Sequence, residues 1–427
     1  MTKEERIIEL AGKYYKRKDV QKALVAFSAY REISPRYVES FGKRPDALEY
    51  DSDVAALAER GATSFHCSEE LWHDPLQIKT EMSEEQFNNL RIGWDLLLDI
   101  DTKYIEYGKI TAELIAEALK FHSITNFAIK FSGGSGFHII VPWKAFPTEI
   151  GSLQTKNLFP SLPRQIVDYL HSIIKKRLAE RIRDLSSELV GKRIYDDEAV
   201  KKLTPDLILV SPRHLFRMPY SLHERTGLAS IVIKNDQIKN FQPGWAKPEI
   251  ALPKSFLPQP DENEAKELVM QAIDAAKEIK KQEPKNEVRK EFRTEINIKD
   301  LSPSMYPPCV QKILQGTKQD GRKRALFILL NFFKSIQMDY DKIENAVNEW
   351  NKKNYKQLRE GYVKSQMIWF KRQKPILPPN CDKPVYKDIA ICEPDGLCRM
   401  IKNPLNYSVR KSRMQQRGKK KNGKPSA

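Results

Sequence analysis

The segment Leu96-Leu97-Leu98-Asp99-Ile100-Asp101 constrains the fold more than any other part of the chain. Side chains alternate across a strand. Leu96, Leu98 and Ile100 therefore take one face and Asp99 and Asp101 the other, with the two aspartate Cα atoms roughly 6–7 Å apart. Such an apolar row anchors the strand in a core. It also sets two carboxylates side by side, where they repel by roughly 2–3 kcal/mol at an effective dielectric of 20. A strand end whose aspartates face water satisfies the pattern. A site in which Mg²⁺ or Mn²⁺ relieves the repulsion satisfies it equally, because oxygen ligands suit those hard cations.

A second segment bears on that choice. Residues 127–131 (Phe-Ala-Ile-Lys-Phe) and 137–141 (Phe-His-Ile-Ile-Val) read as strands joined by Ser132-Gly133-Gly134-Ser135-Gly136. Glycines allow positive φ and leave room for a phosphate to approach backbone N–H groups. Ser132 offers a hydroxyl and His138 an imidazole N–H to a phosphate oxygen. An ordinary hairpin gives the same turn, but it does not require a histidine within an otherwise apolar strand. Two metals about 3.5–4 Å apart beside a triphosphate activate an attacking hydroxyl and stabilise the leaving pyrophosphate. The two segments together point to a nucleotidyl transferase.

A third segment runs Asp206-Leu207-Ile208-Leu209-Val210-Ser211, then His214-Leu215-Phe216-Arg217-Met218-Pro219-Tyr220-Ser221-Leu222-His223. An Asp-x-Asp strand, a Ser-Gly-x-x-Gly-x-His turn and a late Asp ahead of Arg-x-Pro-x-Ser-x-His-x-x-Thr-Gly resemble the catalytic small subunit of archaeo-eukaryotic primases. The resemblance runs from about residue 12 to 235. It implies that Asp99, Asp101 and Asp206 bind Mg²⁺ or Mn²⁺ and that Ser132, His138, Arg217 and His223 hold the incoming triphosphate. Arg31 and Glu32 resemble the family's early Arg-Glu pair, which adds Arg31 to the nucleotide-binding set. Asp206 matches with a one-residue gap before His214. Gly134 and Ser135 stand where many relatives carry basic residues, which turns attention to Lys130. The zinc-binding cysteine and histidine cluster common in this subunit is missing, since Cys67 is the only cysteine before Cys309.

Charge agrees with a polyanionic partner. The 427 residues, enough for about two to four domains, carry 73 Lys+Arg against 56 Asp+Glu, a net +17. Residues 410–424 hold Arg410, Lys411, Arg413, Arg417, Lys419, Lys420, Lys421 and Lys424 and no acid, which reads as a disordered basic tail (413–427) that aids nucleic-acid binding. No apolar run approaches the roughly 18–20 residues of a membrane span, and the charged start is not a signal peptide. A cytoplasmic protein with no membrane partner is expected.

The first 90 residues read as mixed helix and strand. Thr111 is the expected cap of a helix to residue 121, and a longer helix is expected from about 163 to 190, with Ile166, Tyr169, Leu170, Ile173 and Ile174 at helical spacing. Residues 251–301 read as a linker in which prolines flank a charged helix from about 262 to 281, because such a composition builds no core of its own. Beyond it, residues 324–334 and 343–350 read as helices.

Four of the five cysteines, Cys309, Cys381, Cys392 and Cys398, fall in this last region. An intracellular chain does not ordinarily pair them as disulfides, and their spacing lacks the close pairs of a structural zinc site. Tyr306-Pro307-Pro308-Cys309, then Pro378-Pro379-Asn380-Cys381, Cys392, and Cys398 leading to Asn403-Pro404-Leu405-Asn406-Tyr407 resemble the iron–sulfur domain of the primase large subunit. This second resemblance covers about 302–412. It implies a [4Fe–4S] cluster on the four thiolates, with zinc as the alternative, and contacts from Arg322 and Arg324 to template and initiating nucleotide. A solvated basic helix turn is the competing reading of Arg322, Lys323 and Arg324.

The expected architecture is α+β: a primase catalytic domain of mixed sheet and helices (1–250), the linker, and a mainly α-helical iron–sulfur domain (302–412). The expected activity is that of a single-chain primase-polymerase making primers for DNA replication. It would join nucleoside triphosphates on single-stranded DNA, with other replication proteins as further partners. A repair polymerase of the same superfamily that extends ends, and a scaffold whose polymerase site has decayed, are the alternatives. The intact aspartates disfavour the scaffold. The cysteine domain disfavours the repair polymerase, since an extending enzyme needs no module for a first nucleotide.

Overall fold

A computed structural model of the chain describes residues 2–38, 40–79, 82–190, 205–207, 211–282, 301–318, 320–372 and 376–422. The chain divides into two compact units, Met1–Asn286 and Glu287–Ala427.

The first unit is built on two antiparallel sheets. β5 (Leu96–Asp101), β6 (Ala128–Phe131), β7 (Phe137–Val141), β10 (Asp206–Leu207) and β12 (Val232–Ile233) form a sheet ordered β10-β5-β7-β6-β12. β1 (Ile33–Arg36), β2 (Ser64–Ser68) and β11 (Leu215–Arg217) form the second, ordered β1-β2-β11. β3 (Glu70–Trp72) with β4 (Arg91–Trp94) and β8 (Glu149–Ile150) with β9 (Leu153–Gln154) add two short two-stranded ribbons. The alternation seen in the sequence holds: Leu96, Leu98 and Ile100 are fully buried, Asp99 is partly covered and Asp101 is exposed. The expected strands at 127–131 and 137–141 form β6 and β7, so the glycine turn joins neighbouring strands at the centre of the larger sheet.

Helix Ile105–Phe121 packs against this sheet and helix Ser161–Val190 packs on that helix, burying Ile110, Leu114, Ile115 and Leu119 from one and Ile166, Leu170, Ile174 and Leu178 from the other. The first of these begins six residues ahead of the expected cap. Thr111 lies inside it, and its hydroxyl donates to the Tyr107 carbonyl one turn earlier (2.9 Å), the alternative use of a threonine hydroxyl within a helix.

The reading of residues 251–301 as a linker is corrected over its described part. Helix Lys266–Gln282 belongs to the first unit, because Ala265, Leu268, Val269 and Ala272 form a helical stripe that is completely buried in the first core. Upstream, Ala251 and Phe256 are buried there too. The composition that cannot build its own core completes another's. Glu264 fixes the helix entry by accepting from the backbone N–H groups of Thr125 (2.5 Å) and Asn126 (2.8 Å). Residues 283–300 of the expected linker lie outside the described residues.

The second unit has a separate helical core. Helices Arg322–Ser335 and Tyr340–Lys352 extend the two expected helical runs by a few residues at their ends, and with Pro308–Leu314 and Glu360–Arg372 they enclose Leu326, Leu329, Phe332, Phe333, Val347 and Trp350. Residues expected as a disordered tail instead continue helix Pro404–Asn422. Residues 423–427 lie outside the described residues.

Leu268→Ala tests the reassignment of the linker helix. A free linker would lose nothing. Docked on the first core, the substitution should cost about 2–4 kcal/mol of stability, read from denaturant unfolding of the full chain.

Candidate active site

The site begins where the two sequence motifs touch. A Cβ on Gly136 would lie 2.0 Å from the carbonyl oxygen of Ile100, the residue between the two aspartates. Only glycine permits that approach. Ser132 closes the turn: its N–H donates to the Gly136 carbonyl (3.0 Å), while its Oγ accepts from the N–H groups of Gly134 (3.3 Å) and Gly136 (3.2 Å). Gly133 has φ +89°, and a Cβ there would meet the Cβ of His223 at 2.8 Å. The imidazole of His223 lies against Gly134, and Thr226 donates to the Gly133 carbonyl (2.6 Å), so the Arg217–His223 segment docks on the turn.

Register then aligns the charged groups. Asp99 of β5 faces His138 of β7, which faces Lys130 of β6. His138 Nε2 lies 3.3 Å from Asp99 Oδ1. On the other edge of β5 the backbone pairs Asp101 with Asp206, so all three aspartates of the expected triad fall on adjoining strand positions. Burial pushes the Asp99 carboxyl up to about 6. The Lys130 cation opposes this, and the neighbouring Asp101 charge adds to it.

The cationic side of the site is larger than the sequence suggested. Arg36, His66 and Arg217 lie on one face of the β1-β2-β11 sheet, with His66 and Arg217 as direct cross-strand partners. Lys130 is fully buried and donates to Ser230 Oγ (2.8 Å). Burial together with Arg217 pushes its ammonium well below the usual range. Burial and the surrounding cations, Lys130 and Arg217 for His138 and Arg217 and Arg36 for His66, likewise hold both imidazoles neutral. His223 is lowered to about 4 by burial and by Arg217. Its Nδ1 accepts from the Arg225 N–H (3.1 Å), which leaves the proton on Nε2 as a donor beside the turn.

Three buried nitrogens here have no hydrogen-bond partner: His138 Nδ1, His66 Nδ1 and Arg36 Nε. Buried polar atoms are seldom left so. Arg36 Nε is a donor, and so is His66 Nδ1 in its Nδ1–H tautomer, and both fit an anion that supplies the missing acceptors. His138 turns its Nε2–H to the Asp99 carboxylate, which leaves its Nδ1 a lone pair.

The expected site residues do not all converge. Ser132, His138, Arg217 and His223 come together. Arg31 does not join them: its guanidinium is buried in an ion pair with Asp95 (2.5 Å) and donates to the carbonyls of Ser68 (3.0 Å) and Phe27 (3.1 Å), so it holds the fold around β2 and β5. Its neighbour Glu32 is also structural, clamped between Arg44 (2.9 Å) and Arg213 (2.6 Å). Arg36, His66 and Glu224 were not among the expected residues. His66 carried the same signal as His138, a histidine inside the otherwise closed strand Ser-Phe-His-Cys-Ser.

In the second unit, Cys309, Cys381, Cys392 and Cys398 all line one cavity of about 230 Å³, with Tyr386, Arg399 and Ile401 among its other walls. None is in a disulfide. Burial and the other three thiols push Cys309 up to about 12, and burial raises Cys381. Asp395 accepts from the N–H groups of Leu397 and Cys398 (both 3.0 Å) and from the Tyr407 hydroxyl (2.6 Å). Among the described residues no three or more His, Cys, Asp or Glu side chains converge tightly enough for a single metal ion. Arg322 packs over Tyr355 (4.9 Å) and donates to the Lys356 carbonyl (2.5 Å), while Arg324 lies 3.6 Å from Asp388.

Comparison with known proteins places this geometry. Residues 98–234 match the family model of the DNA primase small subunit. That span holds Asp99, Asp101, the glycine turn, His138, Asp206, Arg217 and His223. The chain is also similar to DNA primase large subunits. It is 26% identical to that of Pyrococcus abyssi over 161 residues, covering 27% of this chain and 39% of the relative. It is 28% identical to that of Thermococcus kodakarensis over 160 residues, covering 29% and 39%. The chain thus spans about two fifths of the length of the curated relatives it matches. Among solved structures, the polymerase domain of Mycobacterium tuberculosis ligase D in complex with DNA aligns with a TM-score of 0.35 and 14% identity, over 62% of this chain and 88% of that one. Residues 98–234 are thus similar to a DNA primase small subunit, and part of the chain is similar to DNA primase large subunits.

Gly136→Ala should destabilise the first unit strongly, because the new methyl can be housed only by moving β5 or the turn. Gly12→Ala, in the last turn of helix Lys3–Tyr14 with nothing within 4 Å of its Cβ, should instead stabilise by about 0.5–1 kcal/mol. Paired thermal melts read both signs.

Proposed function

We propose that this chain is a single-chain primase-polymerase that joins nucleoside triphosphates on a single-stranded DNA template. The observation that carries the reading is the meeting of an acidic row and an unsatisfied cationic group across one glycine turn. Asp99 and Asp101 stand on one side, and Lys130, Arg36, His66, His138, Arg217 and His223 on the other.

Asp99, Asp101 and Asp206 would hold Mg²⁺ or Mn²⁺. The donor set fits, since it offers hard oxygen ligands, and burial with the added charge of Asp101 already raises Asp99. Bound there, such ions supply activation of a 3′-hydroxyl and charge neutralisation at the leaving pyrophosphate. The chain's own residues do the rest. Arg217 and Arg36 offer charge-assisted donors to phosphate oxygens. His223, through Nε2, and the Ser132 hydroxyl, whose oxygen already accepts from the Gly134 and Gly136 N–H groups, would orient the triphosphate at the turn. Burial keeps His66 and His138 neutral, so they act as hydrogen-bond donors and not as additional cations.

The four-cysteine cavity supports an iron–sulfur reading of the second unit. Four thiols line one cavity, and four thiolates are the ligand number of such a cluster. Cys309, Cys381, Cys392 and Cys398 would hold it, and the unit would assist in starting chains. The occurrence of small-subunit and large-subunit similarity in one polypeptide supports this fusion.

Asp99→Asn and Asp101→Asn should each abolish nucleotide incorporation on primed and unprimed templates while DNA affinity stays within about twofold. A lost metal ligand is worth several kcal/mol of barrier, and about 1.4 kcal/mol is tenfold in rate. Near wild-type synthesis by either variant would remove the assignment.

Protein purified without oxygen should be brown and contain about four irons per chain. Cys309→Ser should lower the iron content and impair synthesis on unprimed template more than extension of a supplied primer. A colourless protein with one zinc would replace the cluster by a structural metal.

A further inference from the structure

Glu224 sits inside the cationic group, where no acid was expected. Its Oε2 accepts from Arg217 Nη2 at 2.5 Å, and its Oε1 lies 3.6 Å from Arg36 Nη1. The side chains of Arg217 and Glu224 are about nine-tenths covered. The carboxylate therefore bridges β11 and β1 across β2 and engages two of the cations best placed for phosphate. The same group still contains the unpartnered Arg36 Nε and His66 Nδ1, so Glu224 neutralises it only in part.

The position of Glu224 in the chain allows it to leave. His223 and Leu228 close a short loop, with the His223 N–H donating to the Leu228 carbonyl (2.8 Å) and the Gly227 N–H to the His223 carbonyl (2.9 Å). Glu224 is at the start of this loop, next to the exposed Arg225 and Thr226. Its side chain can swing into water without disturbing β11. Arg217 keeps a second anchor throughout, since its Nη1 donates to the Leu222 carbonyl (2.7 Å).

We propose that Glu224 is a built-in stand-in for phosphate: it occupies the Arg217 and Arg36 guanidiniums in the nucleotide-free protein and is displaced when a triphosphate binds. It thereby sets the affinity of the site. This rests on the nucleotidyl-transfer reading above and adds the competitor to it. The sign of its effect separates it from a positioning role. A residue that merely orients Arg217 strengthens phosphate binding, whereas a competitor weakens it.

The test is calorimetric titration of ATP and of inorganic tripolyphosphate into the full chain, with EDTA and separately with Mg²⁺. Glu224→Gln should bind both ligands about tenfold more tightly than wild type, with adenosine unaffected. Glu113→Gln, which removes one negative charge from a pair with Arg181 (2.6 Å) on the helical side, should stay within about twofold. Thermal melts check folding. If Glu224→Gln does not fold, Glu224→Ser gives the same readout with water around Arg217. Equal or weaker binding by the Glu224 variant, in a wild type that binds ATP, overturns the competitor. Absence of ATP binding and of synthesis in the wild type overturns the polymerase reading itself.

Discussion

The contact between Gly136 and the Ile100 carbonyl is the constraint on which the site depends. It presses the turn between β6 and β7 against the strand that carries both aspartates, with no side chain between them. Everything polar is placed by that closeness. Asp99 meets His138 and Lys130 across β7 and β6 because the strands are in register immediately beyond the turn. His223 reaches the turn because Gly133 and Gly134 leave space for its ring. A fold of the same topology with a bulkier turn would hold the carboxylates and the cations apart, and neither group could then share one ligand.

Around this contact the molecule balances buried charge unevenly. At one end of the small sheet Glu32 is clamped by Arg44 and Arg213, and Arg31 is paired with Asp95. Glu69 beside them is buried with neither oxygen hydrogen-bonded, and burial pushes its carboxyl well above the usual range, toward the neutral form. At the other end Arg36 and Arg217 face the carboxylate of Glu224 and Lys130 acts on that of Asp99, with neutral imidazoles between them, so cations outnumber carboxylates. Burying a charge costs several kcal/mol unless it is paired. The matched end is therefore expected of any stable core. The mismatched end is tolerated where a ligand completes it, and that contrast marks the functional end without reference to any relative.

The same contrast explains what could be read from the sequence. The Asp-x-Asp strand and the glycine turn were legible because each rests on a local rule: alternation fixes which face Asp99 and Asp101 share, and glycine marks a close approach. His138 was legible as a polar residue in an apolar strand, and His66 could have been found in the same way. Arg31 was misplaced because a guanidinium looks the same in a sequence whether it meets phosphate or Asp95. Only the fold brings residue 95 beside residue 31. Glu224 was missed for the converse reason, since an acid next to a basic motif gives no hint that it crosses two strands to Arg36. The helix at Lys266–Gln282 read as a linker because its stripe of Ala265, Leu268, Val269 and Ala272 is narrow, and its partner helix is about a hundred residues away in sequence.

The second unit divides its order differently. Its helices carry a dense core of Leu326, Leu329, Phe332, Phe333 and Trp350, which accounts for their regularity. Between residues 376 and 403 the described chain has only short helical turns, and Tyr386, Ile389 and Ile391 are its principal buried apolar anchors. Three of the four cysteines lie in that stretch, and the fourth opens helix Pro308–Leu314. Hydrogen bonds through Asp395, together with Tyr386 Oη donating to the Pro379 carbonyl (2.7 Å), hold the loops around the cavity. Ordering each residue costs roughly 1–2 kcal/mol of backbone entropy, which so few buried side chains offset poorly. A group bonded to four thiolates would supply the missing cross-links, tying this loop-rich stretch to helix Pro308–Leu314 through the one cavity that all four cysteines line.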